Sequence, residues 1–484
     1  MPIFVAAKFY LCDNIIDIKF VCGGNMVFSS IPFLFFFLPI VMVLYYITPM
    51  KFKNLILFIA SLLFYAWGEP KNVIVMVLSI VVSYFAGFII EKNAGTYKAK
   101  ICLITSVIVQ LSFLMYFKYT DFLMENINRL TGLEIPLLKI TLPVGISFYT
   151  FQLISYTVDI YRGERAQKKF INMAAYIAMF PQLVAGPIVR YCDIRNELEK
   201  RNHSIEDISY GIRRFAIGLG KKVFLANQFA GLCDIFKASD EKSVLFYWLY
   251  AVSFSMYIYF DFSGYSDMAI GLGRMMGFHF NENFNYPYIS KSITEFWRRW
   301  HISLGTWFRD YVYIPLGGNR VKVSRHYFNI FIVWMLTGFW HGAQWNFCLW
   351  GVYFAILLII EKRFLSKYLN KHNNIAHIYT VILLIISFVI FNADSLYGLI
   401  GDIKGLLGIG VPLVSVEAFY YFKSYAFLLA AGLLGATPFV KNTASKVQEK
   451  YKNILEPIII LVILVLVTAF LVDGSFNPFL YFRF

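Results

Sequence analysis

Seven histidines occur in this 484-residue chain, and two of them sit where an imidazole could do chemistry. His341 lies in Thr337-Gly-Phe-Trp-His-Gly-Ala-Gln-Trp345. Arg320, Lys322 and Arg325 precede this apolar unit, and Lys362 and Arg363 follow it. Both of its ends therefore belong on one side of a membrane, and the unit is expected to be a hairpin turning near residues 342–346. A helix from Phe328 to His341 rises roughly 20 Å, short of the roughly 30 Å of a bilayer core. The turn then ends inside the bilayer, where an ionisable side chain marks a functional site by default. The competing reading is a core histidine bonded to a backbone carbonyl. An imidazole titrates at about 6.5 when unperturbed, which suits it to take a proton from an attacking hydroxyl.

His301 closes Glu295-Phe-Trp-Arg-Arg-Trp-His301, which reads as an amphipathic helix. Glu295 and Arg299 are i,i+4 neighbours and should pair, and Trp297 lies one turn before His301. A structural ion pair at the interface is the alternative for this cluster. His203, His326, His372 and His377 stand in or beside charged connections and read as solvent-exposed. His279 falls in a loop-like run.

Asp261-Phe-Ser-Gly-Tyr-Ser-Asp267 puts two carboxylates after an apolar span. Six positions apart, they face different sides of a helix and form no catalytic pair; Ser263, Gly264 and Ser266 predict a break between them. No G-x-S-x-G, P-loop or HExxH pattern occurs, which removes the common hydrolase, NTPase and zinc-protease readings. Cys12, Cys22, Cys102, Cys192, Cys233 and Cys348 are scattered, giving neither a disulfide framework nor a metal site.

The elements that must position these residues are membrane helices. Hydrophobic residues make up 59% of the chain and charged ones 15%, too few to solvate a soluble protein of this length. Clear spans fall at 27–47, 73–90, 101–117, 140–160, 244–260, 377–391 and 454–472. Shorter or interrupted ones fall at 55–67, 171–189, 328–340, 345–360 and 420–440. The expectation is an all-α polytopic protein of about ten to twelve segments, several of them re-entrant or broken. Residues 208–236 read as amphipathic or interfacial helix.

The net charge of +15 gathers in short loops and reports topology, not nucleic-acid binding. Counted from either end, it places Met26 and the C-terminus outside the cell. Residues 1–25 are an interfacial or non-native extension; Gly23-Gly24 before Met26 is compatible with a ribosome-binding sequence, so Met26 is the expected start. Residues 26–472 form the membrane domain and 473–484 an aromatic external tail.

Taken together, these stretches resemble the membrane-bound O-acyltransferase family, in the branch of the alginate O-acetyltransferase membrane subunit. The matching text is Met26-Val-Phe-Ser-Ser, Leu142-Pro-Val-Gly-Ile-Ser-Phe-Tyr-Thr-Phe151, Phe180-Pro-Gln-Leu-Val-Ala-Gly-Pro-Ile188, Asp261 to Asp267, Phe296-Trp-Arg-Arg-Trp-His-Ile-Ser-Leu304, Tyr313-Ile-Pro-Leu-Gly-Gly-Asn-Arg320 and Trp340-His-Gly342. The resemblance implies a ring of tilted helices around a thinned centre with a tunnel. It also implies His341 as the family's catalytic histidine and His301 as its second polar site. Trp297, Arg298 and Arg299 would line the approach of the donor. That donor would be acetyl-coenzyme A or a similar thioester, on coenzyme A or an acyl carrier, used as co-substrate with no bound cofactor. An extracytoplasmic partner protein would finish transfer to an envelope polysaccharide. D-alanyl or other acyl transfer to teichoic acid or another polymer is the nearest alternative.

Other classes fit less well. A secondary transporter would show internal repeats, and none is evident between the halves. A lipid-dependent glycosyltransferase would need a large external domain, and a scaffold would not need His341.

The tail, Asn477-Pro-Phe-Leu-Tyr-Phe-Arg-Phe484, has four aromatics and one cation, too apolar to be solvated. It is expected to be an interfacial anchor or to dock into the membrane domain. The sharper expectation is that it enters the outer mouth of the tunnel, where the Tyr481 phenol accepts the acyl group and passes it on.

Overall fold

A computed structural model describes residues 26–447, 449–473 and 479–480. Among them there is no strand; the chain is helical throughout. The extension 1–25 and Tyr481 lie outside the described residues.

The N-terminal part is a set of apolar helices: α1 (Phe33–Ile47), α2 (Met50–Gly68), α3 (Val73–Lys92) and α4 (Tyr97–Thr131). Because they are apolar on all sides, lipid and protein solvate them equally well, and small polar groups fix which faces meet. Gln110 of α4 shows this: its amide donates to the Ser79 carbonyl at 2.9 Å and to Ser83 Oγ at 3.0 Å on α3.

The span expected at 140–160 is different. Residues 132–145 are not helical, and α5 (Ile146–Tyr161) begins after Gly145, whose φ of 76° a side chain would oppose. Buried over nearly its whole length, α5 is a core helix and not a lipid-facing span. The stretch 171–189 is likewise buried and breaks into Phe170–Ala178 and Phe180–Leu183.

Two helices make the centre of the molecule. α6 (Ile205–Gly220) runs on through a π-helical turn at Lys221–Ala226, and lies along α7 (Val244–Met275), which is buried almost throughout. Two corrections follow. Residues 208–236 are amphipathic as expected, with Ile212 and Ile217 exposed and Phe215 and Leu219 buried, but the stretch does not simply lie at an interface, since Lys222 is wholly buried. Ser263, Gly264 and Ser266 do not break the helix; α7 continues through both aspartates. Gly264 serves close approach instead. A Cβ on Gly218 would stand 2.6 Å from the Gly264 carbonyl oxygen, and one on Gly264 would stand 2.8 Å from that of Gly218. Glycine on both sides lets the backbones touch.

The two aspartates of α7 form no carboxylate pair, but both reach the α6–π-turn segment, each to its own cations. Asp267 pairs with Arg214 and Lys221, each at 2.7 Å, and Asp261 pairs with Lys222 at 2.6 Å.

Short helices α8 (Ile293–Trp297) and α9 (Ile302–Phe308) follow. Next comes the expected hairpin, α10 (Val323–His341) and α11 (Trp345–Ile360), turning at 342–344. α12 (Asn373–Asn392) and α13 (Glu449–Val472) are apolar helices. Between them the span expected at 420–440 is divided into Val416–Ser424, Ala426–Gly435 and Phe439–Ala444. Five of the described helices are long and apolar enough to cross a membrane: α2, α3, α4, α12 and the Ile454–Val472 part of α13.

Candidate active site

α10 ends inside the protein, so the carbonyls of its last turn have no helical partner and need donors from elsewhere. α4 supplies them. Lys118 Nζ donates to the carbonyl oxygen of Trp340 at 2.6 Å and of His341 at 3.2 Å, and to Ser147 Oγ at 3.3 Å. Tyr119 donates its hydroxyl to the Phe339 carbonyl. A cation at a helix C-terminus also opposes the negative end of the helix dipole. His341 is thereby held at a fixed end, buried, its ring against Trp340 at 4.9 Å, Trp350 at 5.0 Å and Phe391 at 5.2 Å.

His301 arrives from the other side. It is not on an amphipathic helix: α8 stops at Trp297, and His301 caps α9 with a φ of 45°, in the left-handed region. Such a conformation in a non-glycine residue costs on the order of 1 kcal/mol or more and must be held by its surroundings. Asn283 does the holding. Its Oδ1 accepts the Ser303 backbone N–H at 3.2 Å and the Ser303 hydroxyl at 2.9 Å, and it stands 3.2 Å from His301 Nδ1. Since the atom facing the Ser303 N–H must be the amide oxygen, His301 Nδ1 carries the proton. In the neutral ring Nε2 is then the acceptor, and among the described residues this buried atom has no hydrogen-bond partner.

The two histidines meet over one indole. Trp340 lies 5.8 Å from the His301 ring and 4.9 Å from the His341 ring, and the histidines are within electrostatic range of each other. Phe262, the neighbour of Asp261 on α7, packs edge-on against His301 at 4.7 Å. A buried site with two imidazoles against one aromatic wall fits proton transfer between neutral partners.

Of the donor-approach residues, the structure separates two adjacent arginines. Arg299 is bound to Glu295 at 2.9 Å, as the spacing predicts, and to the Asn285 carbonyl at 3.1 Å. Arg298 makes no side-chain hydrogen bond or ion pair among the described residues; it lines a cavity of roughly 490 Å³. Trp297 packs on Trp334 at 4.5 Å and Trp350 at 5.6 Å, joining that cavity wall to the ring beside His341. His326 is a correction: it is buried, not solvent-exposed, and lines the same cavity. His279 is exposed and bonded to Glu197. The four described cysteines, Cys102, Cys192, Cys233 and Cys348, are free, and no group of acidic, histidine or cysteine side chains suited to a metal occurs among the described residues.

Sequence reading missed Lys118 and Asn283. Lys118 follows an apolar run and was indistinguishable from the first residue of a loop, because nothing local shows that α4 continues to Thr131. Asn283 sits in an irregular stretch whose only signal is a polar side chain between aromatics.

Of the tail, Phe479 and Leu480 are described, and both are buried. The Leu480 N–H donates to Asp261 Oδ2 at 2.7 Å. Phe479 meets Tyr265 edge-on at 4.8 Å, with the Lys222 ammonium 4.6 Å from its ring centre.

Comparison with known proteins adds the following. The membrane-bound O-acyltransferase family matches residues 59–397. A probable alginate O-acetylase of Pseudomonas putida is 39% identical over 95% of this chain and 100% of its own length. A peptidoglycan O-acetyltransferase of Helicobacter pylori is 32% identical over 95% of this chain and 98% of its own. A teichoic acid D-alanyltransferase of Bacillus subtilis is 33% identical over 47% of this chain and 61% of its own.

Proposed function

This chain belongs to the membrane-bound O-acyltransferase family, and from that premise we propose that it moves an acetyl group from a cytosolic thioester towards an envelope polysaccharide, with His341 as the proton acceptor. It is a multi-pass membrane enzyme of acyl transfer. Relatives acting on two different polymers, by their names, cover nearly the whole chain, so the acceptor is an envelope polysaccharide without a narrower choice.

The observation that carries the site assignment is the convergence of His301 and His341 on Trp340 inside the core. In the reaction a hydroxyl oxygen attacks the thioester carbonyl carbon. Its proton passes to His341, the new C–O bond forms, the C–S bond breaks, and the thiol leaves with that proton. His301, fixed by Asn283 with Nε2 as acceptor, receives a hydrogen bond from the hydroxyl or from an amide of the donor arm.

A relay through Tyr481 is part of the same reading. It is supported by the burial of Phe479 and Leu480 against Asp261, next to the residue that packs on His301. The phenol takes the acetyl group first, and an extracytoplasmic partner protein then accepts it for the polymer, the Met26 end and the tail both facing outwards.

The test is thioester consumption in proteoliposomes. His341→Ala should lower turnover by roughly 100- to 10,000-fold, the usual worth of a positioned base, while the protein stays inserted. His301→Ala should weaken donor use more than folding. Near wild-type turnover in His341→Ala removes the assignment.

A further inference from the structure

Away from the active site, two cations are buried side by side without an acid. Lys53, in the first turn of α2, and Arg201, just after the helix Tyr191–Glu199, are 7% and 5% exposed. Both reach the end of α1. The Lys53 ammonium donates to the Tyr45 carbonyl at 2.6 Å, and lies 4.2 Å from the centre of the Tyr45 ring and 5.3 Å from that of Tyr46. Arg201 Nε donates to the Tyr45 hydroxyl at 2.9 Å and to the Met276 carbonyl at 3.0 Å. Its Nη1 donates to Asn54 Oδ1 at 2.7 Å and to the Glu197 carbonyl at 3.1 Å. Nη2 is buried, and among the described residues it has no hydrogen-bond partner.

Among the described residues neither cation has a carboxylate partner. The flanking acids are engaged or turned to solvent: Glu197 holds His279 at 2.7 Å, Asp207 holds Arg274 at 2.8 Å, and Glu199 and Glu206 are exposed. His203 Nε2 stands 2.9 Å from the Tyr45 hydroxyl. Burial first, and then Lys53 and Arg201, hold this ring below its ordinary pKa, so it adds no third charge. Two buried like charges repel and are costly to desolvate, and aromatic faces offset only part of that. An anion from outside would offset the rest.

The surroundings say which anion. The cluster lies where α1 and α2, both apolar helices, meet at residues 48–49. Around it Ile47, Met50, Phe52 and Ile205 are exposed, Ile47 by 72% and Ile205 by 82%. Apolar side chains of that kind face acyl chains, while tyrosines and lysines mark the level of the headgroups. The exposed Tyr46 is the outer cover: its ring lies 5.8 Å from that of His203, and its hydroxyl donates to the Met275 carbonyl. Basic clusters between membrane helices suit lipid phosphates. A soluble anion would have no use for the apolar rim.

We propose that the junction of α1, α2 and the 200–204 loop binds the phosphate of an anionic phospholipid, held by Lys53 Nζ and Arg201 Nη2, with its chains along Ile47 and Phe52. The site is separate from the histidines and does not rest on the acyl-transfer reading.

The test is native mass spectrometry of the full chain in detergent, with equal amounts of phosphatidylglycerol and phosphatidylcholine of matched chains. Wild type should retain phosphatidylglycerol roughly ten- to thirtyfold better, the worth of two cations at an anionic headgroup. Lys53→Gln can still donate to the Tyr45 carbonyl, and should lower that preference roughly fivefold, the worth of one. Lys98→Gln, at an exposed position in α4, should leave it unchanged. Wild type alone gives a second reading that no folding defect can confuse. A phosphatidylglycerol analogue with a photoreactive headgroup should label peptides containing Tyr46 or His203, in competition with phosphatidylglycerol and not with phosphatidylcholine. No preference in wild type, an unchanged preference in folded Lys53→Gln, or labelling confined to other peptides overturns the proposal. Equal competition by glycerol phosphate would make this a site for free phosphate, and overturns the lipid assignment.

Discussion

The ammonium of Lys118 stands 3.2 Å from the carbonyl oxygen of His341, and 2.6 Å from that of Trp340. One side chain on α4 thus closes the end of α10 at the residue that carries the imidazole. Lys118→Met keeps the reach and removes the donors, leaving buried carbonyls unsatisfied at about 1–3 kcal/mol each. Turnover should fall roughly tenfold or more with little change in the KM for the thioester, and Lys118→Arg should restore part of it. A variant that melts earlier yet turns over normally well below its melting temperature would make Lys118 a structural cap and nothing more.

How much of this was legible beforehand differs by residue. The hairpin that ends at His341 was legible because its argument used only length and flanking charge, and both survive folding. His301 was found, but on the wrong element, because a tryptophan-rich amphipathic pattern continues past Trp297 while the backbone does not. The stretches at 140–160 and 244–260 read as clear spans, and the structure makes the helices there core elements, α5 and α7. An apolar run looks the same whether lipid or protein surrounds it, since both solvents exclude the same groups. Gly264 was misread for a related reason: only the partner Gly218 distinguishes a close approach from a break, and the two are far apart in sequence.

Asn283 is the second positioning residue. Asn283→Leu is close in shape but offers nothing to His301 Nδ1–H or to the Ser303 N–H. The His301 ring can then carry its proton on either nitrogen. The expected outcome is about a tenfold lower kcat and an altered pH–rate profile, with Asn283→Asp recovering more activity than Asn283→Leu. If the two substitutions behave alike, the amide oxygen does not set the tautomer.

Two glycines on adjacent helical stretches should answer alanine with opposite signs. At Gly218 the added methyl would meet the Gly264 carbonyl oxygen at 2.6 Å, so the helices must part, at about 1–3 kcal/mol. At Gly231 nothing lies within 4 Å, and alanine should stabilise by about 0.5–1 kcal/mol through helix propensity and unfolded-chain entropy. Unfolding in detergent, monitored by circular dichroism, compares the two directly. Equal shifts would mean that α6 and α7 are not in backbone contact.

Among the described residues Asp261 accepts from the Lys222 ammonium at 2.6 Å and from the Leu480 N–H at 2.7 Å. Asp261→Asn removes the carboxylate beside a wholly buried ammonium and should cost about 3–5 kcal/mol. Replacing both charges, Asp261→Leu with Lys222→Met, should cost less in folding than Asp261→Asn alone, and yet release the tail. Carboxypeptidase should then trim the C-terminus of the double variant faster than that of wild type. Equal trimming rates would show that the carboxylate does not retain the tail.

That retention bears on Tyr481, the residue after Leu480. In the function proposed above the thioester is cytosolic and the polymer is not, so the acetyl group would need a carrier between them. A phenol suits the task, because its ester is activated enough to pass the group on. In the proposed relay the phenolic oxygen would attack the thioester carbon, its proton would leave by way of His341 to the departing thiol, and the acyl-phenol would then give the acetyl group to a hydroxyl of the partner protein. Tyr481→Phe removes one oxygen and leaves the ring, so docking through Phe479 and Leu480 should survive. The expected result is loss of polymer acetylation, with the tail as protected from carboxypeptidase as in wild type. Brief incubation of wild type with radiolabelled donor, followed by acid quench and peptide mapping, should place label on the peptide containing Tyr481, and none there in His341→Ala. Normal polymer acetylation by Tyr481→Phe would leave the tail a docked anchor, and the acceptor hydroxyl would then have to come directly from the partner protein or the polymer.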